Sequence, residues 1–137
     1  MKVFKNLEEM KPYYNEKTNT YEFFENEKLL DVELNFDLNV DSNIHAYNIN
    51  AFDINACNIN ACNINAVDIN ACNIKARDID ARDINAVDIN ASDINFYAVC
   101  FAYKTFVCKS IKSKRENNKY FCLDSEIVIK GDKKNVK

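Results

Sequence analysis

The sequence predicts an all-β fold, a parallel β-solenoid built from five-residue sides with β caps at both ends. Three observations point there. From Asn43 to Asn95 the text repeats every five residues, with Ile at 44, 49, 54, 59, 64, 69, 74, 79, 84, 89 and 94 without a miss. Ala follows the first ten of these Ile two positions later, and Asn or Asp stands before every one. The 137 residues hold 22 Asn but a single Gly and a single Pro, so Asn and Asp must make the corners that Gly usually makes.

A period of five fits no long regular element. On an α-helix five residues advance about 140° past a full turn, so the Ile would spiral around the cylinder. In a straight strand side chains alternate, and an odd period would send successive Ile to opposite faces. A corner in each pentad removes both conflicts. Ile then points in, the next residue out, Ala in, and the variable residue with the following Asn or Asp turns the chain. The variable residues are Tyr47, Phe52, Cys57, Cys62, Val67, Cys72, Arg77, Arg82, Val87 and Ser92. Asn and Asp suit such corners because they tolerate left-handed backbone and hydrogen-bond it locally.

Coil size follows from the columns that stacking creates. Three pentads per coil place Asp53, Asp68 and Asp83 in one column, with like charges on neighbouring rungs. Four per coil leave one such pair in those columns, Asp68 over Asp88. On that ground the sequence favours four pentads per coil.

Along the chain, 1–42 reads as an N-terminal cap, with a short helix over 4–11 ending at Pro12 and strands over 21–24 and 29–40. The solenoid occupies 43–112. Beyond Ile94 large apolar residues recur at Phe101, Phe106 and Ile111, which predicts continuation in a shifted register. The stretch 113–137 reads as a basic loop, a cap strand over 120–129 and a charged tail.

The pentads, for example Ala66-Val67-Asp68-Ile69-Asn70, resemble the pentapeptide-repeat family, whose repeat is written Ala-[Asp/Asn]-Leu-x-x. The resemblance covers 43–95 and implies a right-handed, four-sided β-helix. The order differs: the family's small residue precedes the large one by two, and here it precedes by three and follows by two. The chain, including the stretch 96–103, also resembles uncharacterised proteins of low-GC anaerobic bacteria and their phages. Characterised members of the pentapeptide family are non-enzymatic, and several imitate duplex DNA to occupy a topoisomerase. The resemblance therefore implies an inhibitor of a nucleic-acid enzyme, either a topoisomerase or a defence nuclease, the latter as an anti-CRISPR phage protein.

Charge is divided along the chain. Residues 1–42 carry a net −5, 43–103 a net −4 and 104–137 a net +6. An acidic body with a basic end suits either a cationic or an anionic partner. The candidate binding residues are Asp68, Asp78, Asp80, Asp83, Asp88 and Asp93, with Arg77 and Arg82 fixing register. The basic candidates are Lys109, Lys112, Lys114 and Arg115.

Other chemistries are disfavoured. Phosphate-cradling Gly loops are absent, and His45 is the only His. A flat solenoid wall gives paired carboxylates no water-excluding cleft for hydrolysis. Cys57, Cys62 and Cys72 lie five and ten apart, unlike the close pairs of zinc sites, and read as corner packing. Calcium-binding repeats are Gly-rich, and ice-binding walls present Thr, which the repeat lacks. No metal, cofactor or catalytic group is expected. The N-terminus has no apolar leader and no stretch reaches the ~20 apolar residues of a span, so a cytoplasmic bacterial setting with reduced thiols is expected. The leading expectation is a non-enzymatic binding protein acting on a bacterial nucleic-acid-processing protein. A self-assembling homodimer is the alternative, and direct nucleic-acid binding through 104–119 is the third reading.

Overall fold

The computed structural model describes residues 2–113 and 120–130. Within them the pentads and the strands that flank them wind into a solenoid of about five turns. Its register is plain from the parallel pairs. Ile54 lies against Ile69, Ile59 against Ile44 and Ile74, and Ile64 against Ile49 and Ile79. Three pentads complete a coil. This corrects the four-pentad coil expected from the Asp columns, and with it the four-sided form implied by the family resemblance.

Two features explain why the shorter coil wins. It stacks asparagine on asparagine. Asn58 Nδ2 donates to Asn43 Oδ1 at 2.9 Å and Asn73 Nδ2 to Asn58 Oδ1 at 2.7 Å. On the next wall Asn63 contacts Asn48 at 2.6 Å and Asn48 Nδ2 donates to Asp31 at 2.8 Å. Reversing the amides of Asn63 and Asn73 would exchange this downward donation for one to the rung above, from Nδ2 to Asp78 Oδ2 at 3.0 Å and to Asp88 Oδ2 at 2.7 Å. The second feature is Arg82, which relieves the column of carboxylates that argued against this coil.

The corners also differ from expectation. Among the described residues positive φ occurs only at Asn19, Asn26, and Glu27, all before the repeat. The chain bends without left-handed backbone because the ladder continues through the bend. Val67 N–H donates to Phe52 O at 2.7 Å, Arg77 N–H to Cys62 O at 2.8 Å and Arg82 N–H to Val67 O at 2.8 Å. Leaving those donors bonded makes a special turn unnecessary.

The inward and outward assignment holds. Every repeat Ile is at most 1% exposed, and each repeat Ala except the half-buried Ala76 is buried. At about 1.5–3 kcal/mol for each buried Ile, this column set is the principal core.

The residues before Asn43 continue the same walls. Tyr21 pairs with Ile44, Val32 with Ile49 and Leu38 with Ile54. The expected helix is a 3-10 helix, Leu7–Tyr13, that contains Pro12 and runs one residue past it. Asn6 Oδ1 caps it by accepting from Glu9 N–H, and Pro fits because its fixed φ matches this short helix. The helix buries Met10 against a ring cluster of Phe4, Tyr13 and Phe23 and closes the N-terminal end. The single strand expected over 29–40 is broken into Lys28–Leu29, Asp31–Leu34 and Leu38–Asn39.

Toward the other end the coils lengthen: Ile94 pairs with Ile111 and Cys100 with Tyr120. The shifted register is present, but Phe101 is not an inward residue. Cys100 and Ala102 are buried there, and Phe101 lies outside against Phe121. The expected final strand is two short ones, Tyr120–Cys122 and Val128–Ile129.

Candidate functional site

The fifteen-residue coil sorts the outer residues into three walls. The wall built from 53–56, 68–71 and 83–86 carries the acidic column. Asp53 pairs with Asp68, and Asp53 N–H donates to Asp37 Oδ1 at 3.3 Å, so Asp37, Asp53, Asp68 and Asp83 rise along one line. Rungs stand ~4.8 Å apart, which puts like charges well within repulsive range. Burial holds the Asp53 carboxyl above the ordinary aspartate range, and Asp37 and Asp68 push it further; Arg82 opposes them.

Arg82 occupies the corner beside this column. Its Nη2 lies 3.0 Å from Asp68 Oδ2 and its Nε lies 3.5 Å from Asp83 Oδ2, so one guanidinium spans two rungs. Asp83 Oδ1 is buried and finds no hydrogen-bond partner among the described residues. Among the described residues, the ion pairs made by this line are those of Arg82 with Asp68 and Asp83.

The candidate residues do not form one cluster. Asp68, Asp83 and Arg82 meet on the acidic wall. Asp78 stands on the next wall above Asn63, with Arg77 Nε at 3.5 Å, and Asp80 lies over Asn65 on the same wall. Asp88 and Asp93 are occupied by hydroxyls: Thr105 Oγ1 donates to Asp88 at 2.8 Å and Ser110 Oγ to Asp93 at 2.6 Å. Lys109 sits at the corner over Ser92 and Lys112 opposite Asn95, both exposed. Lys114 and Arg115 lie outside the described residues.

The sequence suggests an aromatic cap around 97–103 as an apolar contact surface, but does not place it beside the acidic column or bring Phe121 to it. Phe101, placed inward by its spacing, instead meets Phe121 and Tyr103 edge-on with ring centroids 4.8 Å apart in both pairs. With Asp83, Ile84, Asn85 and Val99, these two Phe line a shallow groove of about 430 Å³. The lengthening of the coil beyond fifteen residues is what turns Phe101 out, and the pentad spacing alone could not show it.

Comparison with protein-family models, curated proteins and solved structures finds no match. Function is therefore argued from this surface.

The larger concavity, about 900 Å³, is an open hollow near the N-terminal end lined by Pro12, Tyr13, Glu22, Phe24 and Glu25 among others. Its polar groups hold the cap together. Tyr13 Oη donates to Glu25, and Lys2 pairs with Glu25 at 3.4 Å. Among the described residues no three His, Cys, Asp or Glu side chains are grouped to hold a metal ion. Among the described residues no helix is long and apolar enough to cross a membrane.

The thiols divide into two kinds. Cys100 and Cys108 are buried; burial pushes both thiols up, Cys108 to about 11, where little thiolate forms at neutral pH. Cys57, Cys62 and Cys72 stand at corners.

Proposed function

We propose that this protein is a non-enzymatic binding protein whose acidic wall docks on a cationic groove of a nucleic-acid-handling protein and excludes nucleic acid from it. The observation that carries this reading is the line of Asp37, Asp53, Asp68 and Asp83 on successive rungs, with Arg82 paired to the last two and half-buried Phe101 and exposed Phe121 at its border. Carboxylates fixed in a column lose little freedom on binding, and a basic partner relieves their mutual repulsion. Aromatic rings beside them supply the apolar contact that anchors most protein interfaces. The column offers one charge per ~4.8 Å rung, whereas duplex DNA carries one per about 1.7 Å, so the rings must contribute as well as the charge.

The test replaces Asp53, Asp68 and Asp83 together with Asn. These changes are isosteric, and Asn already fills the equivalent column at 43, 58 and 73, so the fold should survive. A partner captured by the parent from a bacterial extract should be lost by the triple variant and displaced from the parent by a duplex oligonucleotide. A partner held equally by both proteins would overturn the acidic-wall reading. Salt-sensitive retention of the parent itself on DNA would replace it with direct binding through the basic end.

A further inference from the structure

The fifteen-residue register brings together two thiols that the sequence spacing kept apart. Ala56 lies against Ala71 and Asn58 against Asn73, so Cys57 and Cys72 between them occupy one corner on adjacent rungs. Cys62 belongs to another corner, between Tyr47 below and Arg77 above. Cys72 is exposed and Cys57 half-buried, with Cys57 Sγ 3.5 Å from Asp41 O. Neither is in a disulfide. Burial pushes the Cys57 thiol up, and neighbouring Cys72 and Asp41 add to the shift.

A disulfide needs Cα atoms about 4.4–6.8 Å apart, and adjacent rungs at ~4.8 Å fall inside that range. The relaxed Cβ separation is nearer 3.8 Å, shorter than the rung spacing. A bond here would therefore be strained and easily reduced.

We propose that Cys57 and Cys72 form a two-thiol redox site that closes reversibly to a cross-rung disulfide by exchange with a small disulfide of the glutathione class. Exposed Cys72 enters first. Its thiolate attacks one sulfur of oxidised glutathione, forming a mixed disulfide and expelling one glutathione thiolate. The Cys57 thiolate then attacks the Cys72 sulfur, forming the Cys57–Cys72 bond and expelling the second glutathione. Two protein thiols are oxidised, one glutathione disulfide is reduced to two thiols, and the two protons pass to the released thiolates. Closure staples one coil to the next at a corner, away from the inner Ile.

The experiment treats the folded protein with oxidised glutathione at mildly alkaline pH, then counts free thiols after denaturation and maps peptides without reduction. Cleavage before Asp53, Asp68 and Asp78 separates Cys57 from Cys72, and the Cys62→Ser variant makes the assignment unique. The expected result is two fewer thiols, the peptides 53–67 and 68–77 joined, and full reversal by dithiothreitol. Should Cys62→Ser fail to fold, fragmentation of the joined parent peptides between positions 57 and 62 gives the same answer. Cys57→Ser and Cys72→Ser should each end with glutathione on the remaining corner thiol and no internal link. The proposal is overturned if Cys72 in the parent stays capped by glutathione without passing to Cys57, if both thiols remain free, or if the link joins Cys62.

Discussion

Asp53 shows how one side chain registers the architecture. Its carboxyl is easier to protonate in the folded chain than in the unfolded one, because it is desolvated and lies between Asp37 and Asp68. The folded state therefore binds its proton more readily, and stability rises as pH falls through the raised value toward the ordinary 3.8. Above that window the repulsion is present in full. Asp53→Asn should accordingly raise the urea midpoint near pH 7, and its advantage over the parent should shrink near pH 4. An advantage independent of pH would show that the amide gains by hydrogen bonding and not by removing charge. Arg82 belongs to the same balance. It is exposed, so each of its pairs contributes modestly, on the order of 0–1 kcal/mol, and offsets only part of the repulsion along the line.

Each wall is a β-ladder with a side-chain ladder along its edge. Asn58 occupies the middle of one, in contact with Asn43 below and Asn73 above. Asn58→Ala breaks both amide contacts and should cost about 1–2 kcal/mol in denaturant titration. Asn70→Ala, at an exposed position beside the inward Ile69, is the control and should change little. Equal losses would mean that the amide ladder contributes nothing beyond ordinary strand propensity. These ladders were legible. Columns spaced by fifteen put Asn43, Asn58 and Asn73 together, and columns spaced by twenty scatter them among Asp. The sequence reading weighed the repulsion of Asp against Asp and not the pairing of Asn with Asn, and so reached the wrong coil.

For the molecule as a whole, the decisive fact is that every coil rests on its neighbours. Ile69 is 1% exposed and pairs with Ile54 in the centre of the stack. Ile69→Asp removes about 1.5–3 kcal/mol of apolar burial and adds several kcal/mol for an unpaired buried charge. A domain of this size has a total stability of only about 5–15 kcal/mol. The variant should lose its β-type circular dichroism at room temperature, while Asn70→Asp keeps it. A folded Ile69→Asp protein would show that the coils are held by their backbone ladders with little help from the core. The N-terminal end is closed by Met10, Phe4, Tyr13 and Phe23, and that closure follows the same rule. An exposed rung edge is a template for further strands, so the first coil must be covered.

The pentad alone was enough to establish an all-β solenoid with Ile and Ala inside, because a five-residue period with a constant large and small residue admits no straight helix or strand. It was not enough to establish how many pentads close a coil. Within one pentad, coils of three and of four look the same, and the choice is made by energies between residues fifteen or twenty apart. Those energies include amide pairing along Asn43, Asn58 and Asn73, and the reach of one arginine across two rungs to Asp68 and Asp83. The same register decides which side chains become neighbours. It set Cys57 against Cys72, gathered four Asp into one line and, where the coil lengthens near Cys100, turned Phe101 outward to meet Phe121. Each of these is a contact across coils, and its distance depends on the closed circuit of the chain and not on spacing along it.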